Sequence, residues 1–117
     1  SGQEPPFGFG PGTGQPWIPQ PDDWSELTVE AEQADPESTL SFYRRALEAR
    51  RTIQDAGDEL AVSVDGDLLD VRRGPLRILL NCGDSAVDIP ADAGQVVIAS
   101  GPVSGRSLPP NTAAWLR

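Results

Sequence analysis

The sequence predicts a mixed fold in which an extended N-terminal arm and one long helix precede a small antiparallel β-sandwich. Gly and Pro make up eleven of the first 21 residues, which favours an irregular segment. Apolar side chains then recur at helical spacing as far as Gly57. From residue 58 onward the apolar period is two, with Gly and Asp between the runs. A chain of 117 residues is long enough for one domain with a modest core.

The N-terminal arm, residues 1–34, carries large apolar side chains among its Gly and Pro residues. It is acidic and contains no basic residue. Disordered linkers are normally poor in aromatic residues, so we expect this arm to be anchored to a surface by its apolar side chains. These are Phe7, Phe9, Trp17, Ile18 and Trp24. A structureless run of this length is unusual inside a compact domain, which predicts that its packing surface lies outside this chain. Residues 29–33 are expected to form one helical turn.

A helix is predicted between Asp35 and Gly57. Asp35 suits the N-cap, Pro36 suits the first helical position, and Gly57 suits the C-terminal stop. The apolar residues form two neighbouring stripes, one of Leu40, Tyr43 and Leu47 and one of Phe42, Ala46, Ala49 and Ile53. So broad an apolar face predicts burial against a sizeable partner. We expect one stripe to pack on the β domain and the other, with the arm aromatics, to need a surface outside this chain.

About six strands are predicted after Gly57. The apolar runs are 60–64, 69–71, 76–81, 86–89, 95–100 and 112–116. Asp65-Gly66 is a hairpin signal, Gly74-Pro75 breaks the alternation, and further turns follow at residues 83–84 and 92–94. The nearly continuous apolar run at 76–81 is typical of a strand covered on both sides. Short strands at this spacing favour a two-layer antiparallel sandwich.

The composition excludes most catalytic chemistry. The chain has no His, no Lys and a single Cys. It therefore cannot form a Ser-His-Asp or Cys-His system, a His metal site, a Schiff base or an internal disulfide. Carboxylate acid–base chemistry is the one common hydrolytic chemistry that remains. A net charge of −9 argues against nucleic-acid and anionic-membrane partners, because both need a basic footprint.

No targeting or membrane signal is visible in the sequence. No apolar run approaches the roughly 20 residues of a membrane span. No positively charged start followed by an apolar stretch marks a secretory signal, so we expect a cytoplasmic protein. Ser1 stands where an initiator Met would be, which indicates a piece of a longer protein or a processed chain.

Three short features have a functional interpretation and a simpler structural one. The glycine-rich run 8–14 could cradle a phosphate, but it lacks a preceding strand, a following helix and a Lys. Asp65, Asp67 and Asp70 resemble half of a calcium loop without its closing Glu, so a solvated hairpin turn is favoured. Cys82 follows an apolar strand with no base nearby and is expected to be a buried small hydrophobe.

Two charged clusters also have both a functional interpretation and a simpler structural one. The helix arginines could bind a phosphate or carboxylate ligand, but pairing with the acidic arm or simple solvation is favoured. These are Arg44, Arg45, Arg50 and Arg51. The carboxylate pairs Asp22-Asp23 and Glu30-Glu32 could imitate a glycosidase pair, which needs about 5–9 Å across a sugar cleft. They lie in a turn-rich stretch without such a cleft. We therefore expect no catalytic, substrate-binding or metal residue in this chain, and no cofactor.

Several stretches together resemble one enzyme family. The run from Gly8-Phe9 to Pro16-Trp17-Ile18-Pro19 is similar to a GF…PW segment, and residues 27–32 are similar to an N-V-E-A-Q-like stretch with Thr28 and Glu32 as departures. Asp35-Pro36-Glu37-Ser38 and Tyr43-Arg44-Arg45 are similar to a D-P-x-S-capped helix with a Tyr-Lys/Arg motif. The ending, residues 108–116, looks like the last strand of actinobacterial members. These features resemble the C-terminal region of α-glucosidases of glycoside hydrolase family 13, the α-amylase family.

The resemblance implies an assignment for each part of the chain. Residues 1–57 would be the last loop and helix of a catalytic (β/α)8 barrel, and residues 58–117 the C-terminal antiparallel β domain. The parent would hydrolyse terminal α-linked glucose from short oligosaccharides by a retaining mechanism. Its catalytic carboxylates would precede Ser1, so none falls on this sequence. The implied partners are the missing barrel and the oligosaccharide bound by the parent, and Phe7 and Phe9 either border an outer sugar site or simply anchor the arm.

The alternative function is a stand-alone accessory or carbohydrate-binding β module without catalysis. Such a module would need a platform of exposed aromatic side chains. Trp115 is the single aromatic residue after residue 58. A platform is therefore poorly supported by the sequence.

Overall fold

The computed structural model describes residues 2, 4–8, 10, 13–14 and 16–117. Within these residues the helical elements are a 3-10 helix at Asp22–Ser25, α1 at Val29–Ala34 and α2 at Thr39–Arg51. The strands are β1 Ala61–Asp65, β2 Leu68–Arg73, β3 Leu76–Asn81, β4 Val87–Asp88, β5 Val96–Ala99, β6 Ser107–Leu108 and β7 Thr112–Leu116. The chain divides into two compact units, Ser1–Arg45 and Ala46–Arg117. The architecture is a small antiparallel β domain with a few short helices.

The first unit contains the arm, α1 and the beginning of α2. The predicted helical turn is confirmed as α1, which starts after Thr28, whose hydroxyl accepts the Ala31 N–H at 3.2 Å. Phe7 is buried, whereas Trp17 is 99% and Ile18 71% exposed. Phe9 lies outside the described residues. The arm therefore leaves its Trp-Ile pair in solvent.

Helix α2 begins later than the sequence predicted. The predicted N-cap at Asp35 is wrong, because the Asp35 carboxylate accepts the Glu37 N–H at 2.9 Å within a turn. The Ser38 hydroxyl instead accepts the Ser41 N–H at 3.2 Å, which is the bond an N-cap makes. The Ser38 hydroxyl also donates to the Glu32 carbonyl at 2.6 Å, and this second bond fixes the cap in place.

Helix α2 also ends earlier than predicted, at Arg51. The Thr52 hydroxyl donates to the Ala49 carbonyl at 2.7 Å, and the Thr52 N–H donates to the same carbonyl at 3.0 Å. A carbonyl occupied in this way no longer accepts the next helical N–H, so the chain passes into turns that reach Gly57. The prediction of one long helix, and of the long barrel helix implied with it, is wrong for the described residues.

The antiparallel β domain predicted after residue 58 is confirmed. One sheet has the strand order β1-β2-β3-β7-β5 and a second pairs β4 with β6, all antiparallel. The described part of the chain has seven strands where about six were predicted, and the additional strand is β6, too short to show a period. The second sheet packs on one face of the first, around Leu79, Leu108 and Leu116, each fully buried.

Two tight turns join the first three strands. Gly66-Asp67 connects β1 to β2, and Gly74-Pro75 connects β2 to β3. Gly66 has φ +57° and Gly74 has φ +53°, a left-handed conformation that a hairpin turn requires and that glycine adopts at little cost. The turn signals at Gly66 and Gly74 are therefore hairpin turns in the structure.

Replacing Gly74 by Ala is expected to destabilise the β domain by about 2 kcal/mol. A Cβ atom at this position would lie 2.3 Å from the Ala56 carbonyl oxygen, which belongs to the backbone and cannot rotate away. Gly66→Ala is the matched control, since it has the same left-handed φ but nothing within 4 Å of the added Cβ. Urea unfolding should show the larger loss at Gly74, and equal losses would contradict the clash.

Candidate docking surface

Cross-strand pairing places two rows of apolar side chains on one face of the five-stranded sheet. We call this surface the open face. One row of paired positions crosses all five strands, and a second row crosses the first four. Its members are Val62, Val71, Ile78, Trp115 and Ile98 in the first row and Val64, Leu69, Leu80 and Ala113 in the second. Paired residues of antiparallel strands point to the same side, so the register alone builds a continuous apolar surface.

The two faces of this sheet differ sharply in burial. On the open face, Val62 is 57% and Val64 69% exposed, and the remaining members of its two rows are half-buried. On the opposite face, Leu79, Ala114 and Leu116 are fully buried beneath the second sheet. A sheet normally leaves its polar face to water, but here the face left to water is apolar. This is the kind of surface that marks an interaction site.

The turns after α2 cover only one end of the open face. Ile53 and Ala56 pack with Leu76 against Ile78 and Trp115 in a small second core. The side chain of Arg117 donates to the Thr52 carbonyl at 2.9 Å, which holds the segment in place. The valines of β1 lie beyond this cover and remain exposed.

Helix α2 and the arm expose further apolar side chains. Tyr43 is 61% and Leu47 53% exposed. Together with Trp17 and Ile18, these were expected to need a surface outside the chain. Their predicted exposure is confirmed.

The opposite face of the sheet contains a polar cluster that sequence reasoning missed. Arg77 of β3 is buried and makes a forked contact with Asp70 of β2, with Nη2 at 2.7 Å and Nε at 3.0 Å from its two carboxylate oxygens. Its third nitrogen donates to Asp92 at 2.8 Å, and Arg72 adds a bond to Asp70 at 3.1 Å. The one sequence feature that could have indicated this cluster is Arg77 itself, a single charged residue within the apolar run 76–81.

The electrostatics of this cluster are those of a structural ion pair. Hydrogen bonds from Arg77 hold the pKa of Asp70 below its ordinary value, against the opposing effect of burial. The same arginine lowers the pKa of Asp92. Both carboxylates therefore stay ionised at neutral pH, and neither is poised to act as a general acid. The cluster stabilises the fold and offers no proton for catalysis.

Asn81 is a second polar side chain that the sequence did not single out. It is fully buried, and its amide nitrogen donates to the carbonyls of Ser85, Leu108 and Pro109 at 2.8, 3.1 and 3.0 Å. Its amide oxygen accepts the Gly83 N–H at 3.0 Å. This one side chain thus joins the end of β3 to the loop that follows β6.

A cleft of about 300 Å³ lies beside β5, and it offers little for a polar ligand. Its lining includes Ile89, Val96, Val103 and Arg106. The Arg106 guanidinium already donates to the carbonyls of Ile89 and Pro90, so its charge faces backbone oxygens of the chain itself. No catalytic carboxylate lines the cleft.

The structure does not assemble the possible calcium loop. Asp65 and Asp67 are exposed at the hairpin, whereas Asp70 is buried in the ion pair with Arg77 on β3. Among the described residues, no group of three or more acidic or Cys side chains could hold a metal ion. The glycine-rich run 8–14 falls partly outside the described residues.

Cys82 is exposed, and its predicted burial is wrong. Strand β3 ends at Asn81, so Cys82 leaves the sheet at the point where the alternation of buried side chains stops. Its backbone N–H donates to the Asp67 carbonyl at 2.9 Å, which fixes the turn but not the side chain.

The charged clusters of the sequence do not line the cleft beside β5. The four α2 arginines are exposed, and within the described residues none of their nitrogens lies within 4 Å of a carboxylate. Of the two favoured alternatives, pairing of these arginines with the acidic arm is thus not seen. Arg45 donates to the Pro36 carbonyl, and all four side chains are exposed. Asp22-Asp23 lie in the 3-10 helix and Glu30-Glu32 in α1.

Comparison with known proteins identifies the family and the position of this domain. None of the described helices has the length and apolar character needed to cross a membrane. A search of curated proteins gave no match to the chain. A family model described as Domain of unknown function (DUF3459) matches residues 37–115, which is more than half of the chain. The chain therefore belongs to the DUF3459 family, a domain found at the C-terminal end of α-amylase-family (GH13) enzymes.

Proposed function

We propose that this chain is the non-catalytic C-terminal portion of an actinobacterial-type α-glucosidase, and that its open face packs against the catalytic barrel of the same polypeptide. The parent enzyme would release terminal α-linked glucose from short oligosaccharides by a retaining mechanism. The open face carries the proposal. Its apolar residues are left in water by a domain whose family occurs joined to a larger enzyme.

The α-glucosidase assignment is supported by the motifs of the arm and helix α2. Trp17-Ile18, Asp35-Pro36 and Tyr43-Arg44-Arg45 resemble segments of that group. The exposure of Trp17, Ile18 and Tyr43 is consistent with side chains that are covered by the rest of the parent. Within the parent, we propose that residues 1–57 belong to the end of the barrel portion and residues 58–117 to the β domain, because every described strand follows residue 58.

One observation argues against the alternative function, a stand-alone carbohydrate-binding module. The single aromatic side chain of the β domain, Trp115, is half-buried and packs against the small core of Ile53, Ala56 and Leu76. It therefore does not offer a free ring on which a sugar could stack. A binding assay on starch and maltooligosaccharides distinguishes the two functions, because a module would bind them without the barrel.

Activity is tested on the full-length polypeptide that carries this chain. We expect it to release glucose from maltose and from p-nitrophenyl α-glucoside, with the α-anomer as the first product seen by NMR. The isolated 117 residues should release none. Activity only on long starch chains would overturn the α-glucosidase assignment. Turnover by the isolated chain that is lost when one of its own carboxylates is replaced would overturn its non-catalytic role.

Replacing Val64 by Lys is expected to loosen the β domain from the barrel. An open-face charge would be buried without a partner on docking, at a cost of about 2 kcal/mol. Ser63→Lys is the matched control, since Ser63 is the exposed neighbour on the same strand but points to the opposite face. Limited proteolysis of the full-length protein between barrel and β domain should be at least about tenfold faster for Val64→Lys. Equal rates for the two variants would contradict docking through the open face.

A further inference from the structure

The five-stranded sheet has two edge strands, and they are built differently. At one edge, β5 has only four residues and a bulge between Val96 and Ile98, a device that turns a sheet edge away from further pairing. At the other edge, β1 runs without a bulge in register with β2. It contains no Pro or Lys, and all five of its residues are exposed. Among the described residues, the β5 edge is therefore protected by its bulge and the β1 edge has no partner strand.

The hairpin geometry shows which backbone groups of β1 are free. Gly66-Asp67 is a two-residue turn, so the residues that flank it, Asp65 and Leu68, form a hydrogen-bonded pair. Such pairs alternate along an antiparallel ladder, which makes Ser63 and Asp70 the next one. Val62 and Val64 then direct their N–H and C=O groups away from β2. The same two residues place their side chains on the open face.

The charges at the ends of β1 select against pairing with a second copy. Asp58 and Glu59 precede the strand, and Asp65 and Asp67 follow its apolar part. Two antiparallel copies of β1 centred on Val62 would bring Glu59 opposite Asp65. This like-charge contact occurs twice by symmetry and opposes association. A strand with basic residues at its ends would instead be attracted by the acidic groups at the ends of β1.

We propose that the free edge of β1 is extended by a strand from the catalytic portion of the parent polypeptide. That strand has small apolar residues at alternate positions, in line with the open face, and Lys or Arg at its ends opposite the acidic groups that frame β1. This inference rests on the proposed function and goes beyond it, since face packing alone needs no backbone pairing. A sixth strand would satisfy the outward groups of Val62 and Val64 and would lengthen the open face.

Hydrogen exchange at single-residue resolution tests the proposal on the full-length protein. The Ser63 amide, bonded to β2, is the internal reference. We expect the Val62 and Val64 amides to be protected within about tenfold of Ser63. Val62→Pro, which removes an outward donor, should speed exchange at Val64 at least about tenfold. Val62→Ile, which keeps both the N–H and the apolar side chain, should leave the exchange rate of the Val64 amide unchanged.

The possible outcomes separate this proposal from the one on which it rests. If Val62 and Val64 exchange at unprotected rates while Val64→Lys still loosens the domain, the open face docks and the strand extension is wrong. If their protection disappears on dilution together with a dimer seen by light scattering, the occupant is a second copy and the proposal is overturned. If the Val62 and Val64 amides are unprotected and Val64→Lys does not speed proteolysis, the docking proposal itself fails.

Discussion

Replacement of Arg77 by Met is expected to destabilise the β domain by about 3–5 kcal/mol, because it leaves Asp70 charged and buried without its forked partner. Both side chains of this pair are about one-tenth exposed. Urea unfolding of the purified chain measures the loss. The double variant Arg77→Met with Asp70→Leu is the control, since replacing both charges by apolar groups removes the orphaned carboxylate. It should recover most of the stability, and a double variant as unstable as the single one would contradict this explanation.

The same pair predicts how stability depends on pH. Arg77 holds the pKa of Asp70 below its ordinary value of 3.8 in the folded chain. A carboxyl group whose pKa is depressed by folding contributes stability above its unfolded pKa and loses it as the pH falls through the folded pKa. Stability of the native chain should therefore decline below about pH 4. The double variant should lack the part of this decline that is due to Asp70. If its stability falls with pH as steeply as that of the native chain, other carboxylates account for the decline.

Replacement of Asn81 by Ala is expected to cost about 3–4 kcal/mol. The change removes a fully buried side chain and leaves the carbonyls of Ser85, Leu108 and Pro109 and the N–H of Gly83 without their shared partner in a partly buried site. Asn81→Asp is the informative companion, because it keeps the acceptor for Gly83 and removes the donors to the three carbonyls. Thermal unfolding should rank both variants well below the native chain. A loss under about 1 kcal/mol in Asn81→Ala would mean that water replaces the amide.

The parts of the fold that were predictable are those that depend on neighbouring residues. Alternation in 60–64 and 69–71 predicted β1 and β2, and Asp65-Gly66 predicted the hairpin between them. The helical turn predicted at residues 29–33 exists as α1. Each signal concerns residues within one element or one turn, where spacing and turn chemistry act directly.

The helix and strand 76–81 show where local reasoning fails. Asp35-Pro36 is a good start signal, but Ser38 has a second partner, the Glu32 carbonyl, that the spacing does not reveal. Arg77 lies in an apolar strand and is buried because Asp70 and Asp92 approach it from elsewhere in the chain. The position of β7 between β3 and β5 has no local signal at all. Contacts between distant residues decided each of these features.

The sequence predicted that some apolar side chains would be exposed, but it did not predict the open face on which the docking proposal rests. A β domain of about sixty residues is too small to cover both helix stripes and the arm, and the exposure of Tyr43, Leu47, Trp17 and Ile18 was expected on that ground. The open face depends instead on the register of five strands, which aligns Val62 and Val64 with apolar residues of β2 and β3. A single sequence fixes the alternation within a strand, and it does not fix which strands become neighbours.

The central position of β7 has a consequence for the order in which the chain folds. Strands β1, β2 and β3 are joined by two-residue turns and can pair as soon as they are synthesised. Within the part of the chain that the structure describes, β5 pairs with β7 alone, and β7 also pairs with β3, more than thirty residues upstream of it. Until residues 112–116 emerge from the ribosome, β3 and β5 both carry unpaired backbone edges. We therefore expect the insertion of β7 between β3 and β5 to be the slow step in folding of this sheet, with the unpaired edges most prone to aggregation before it.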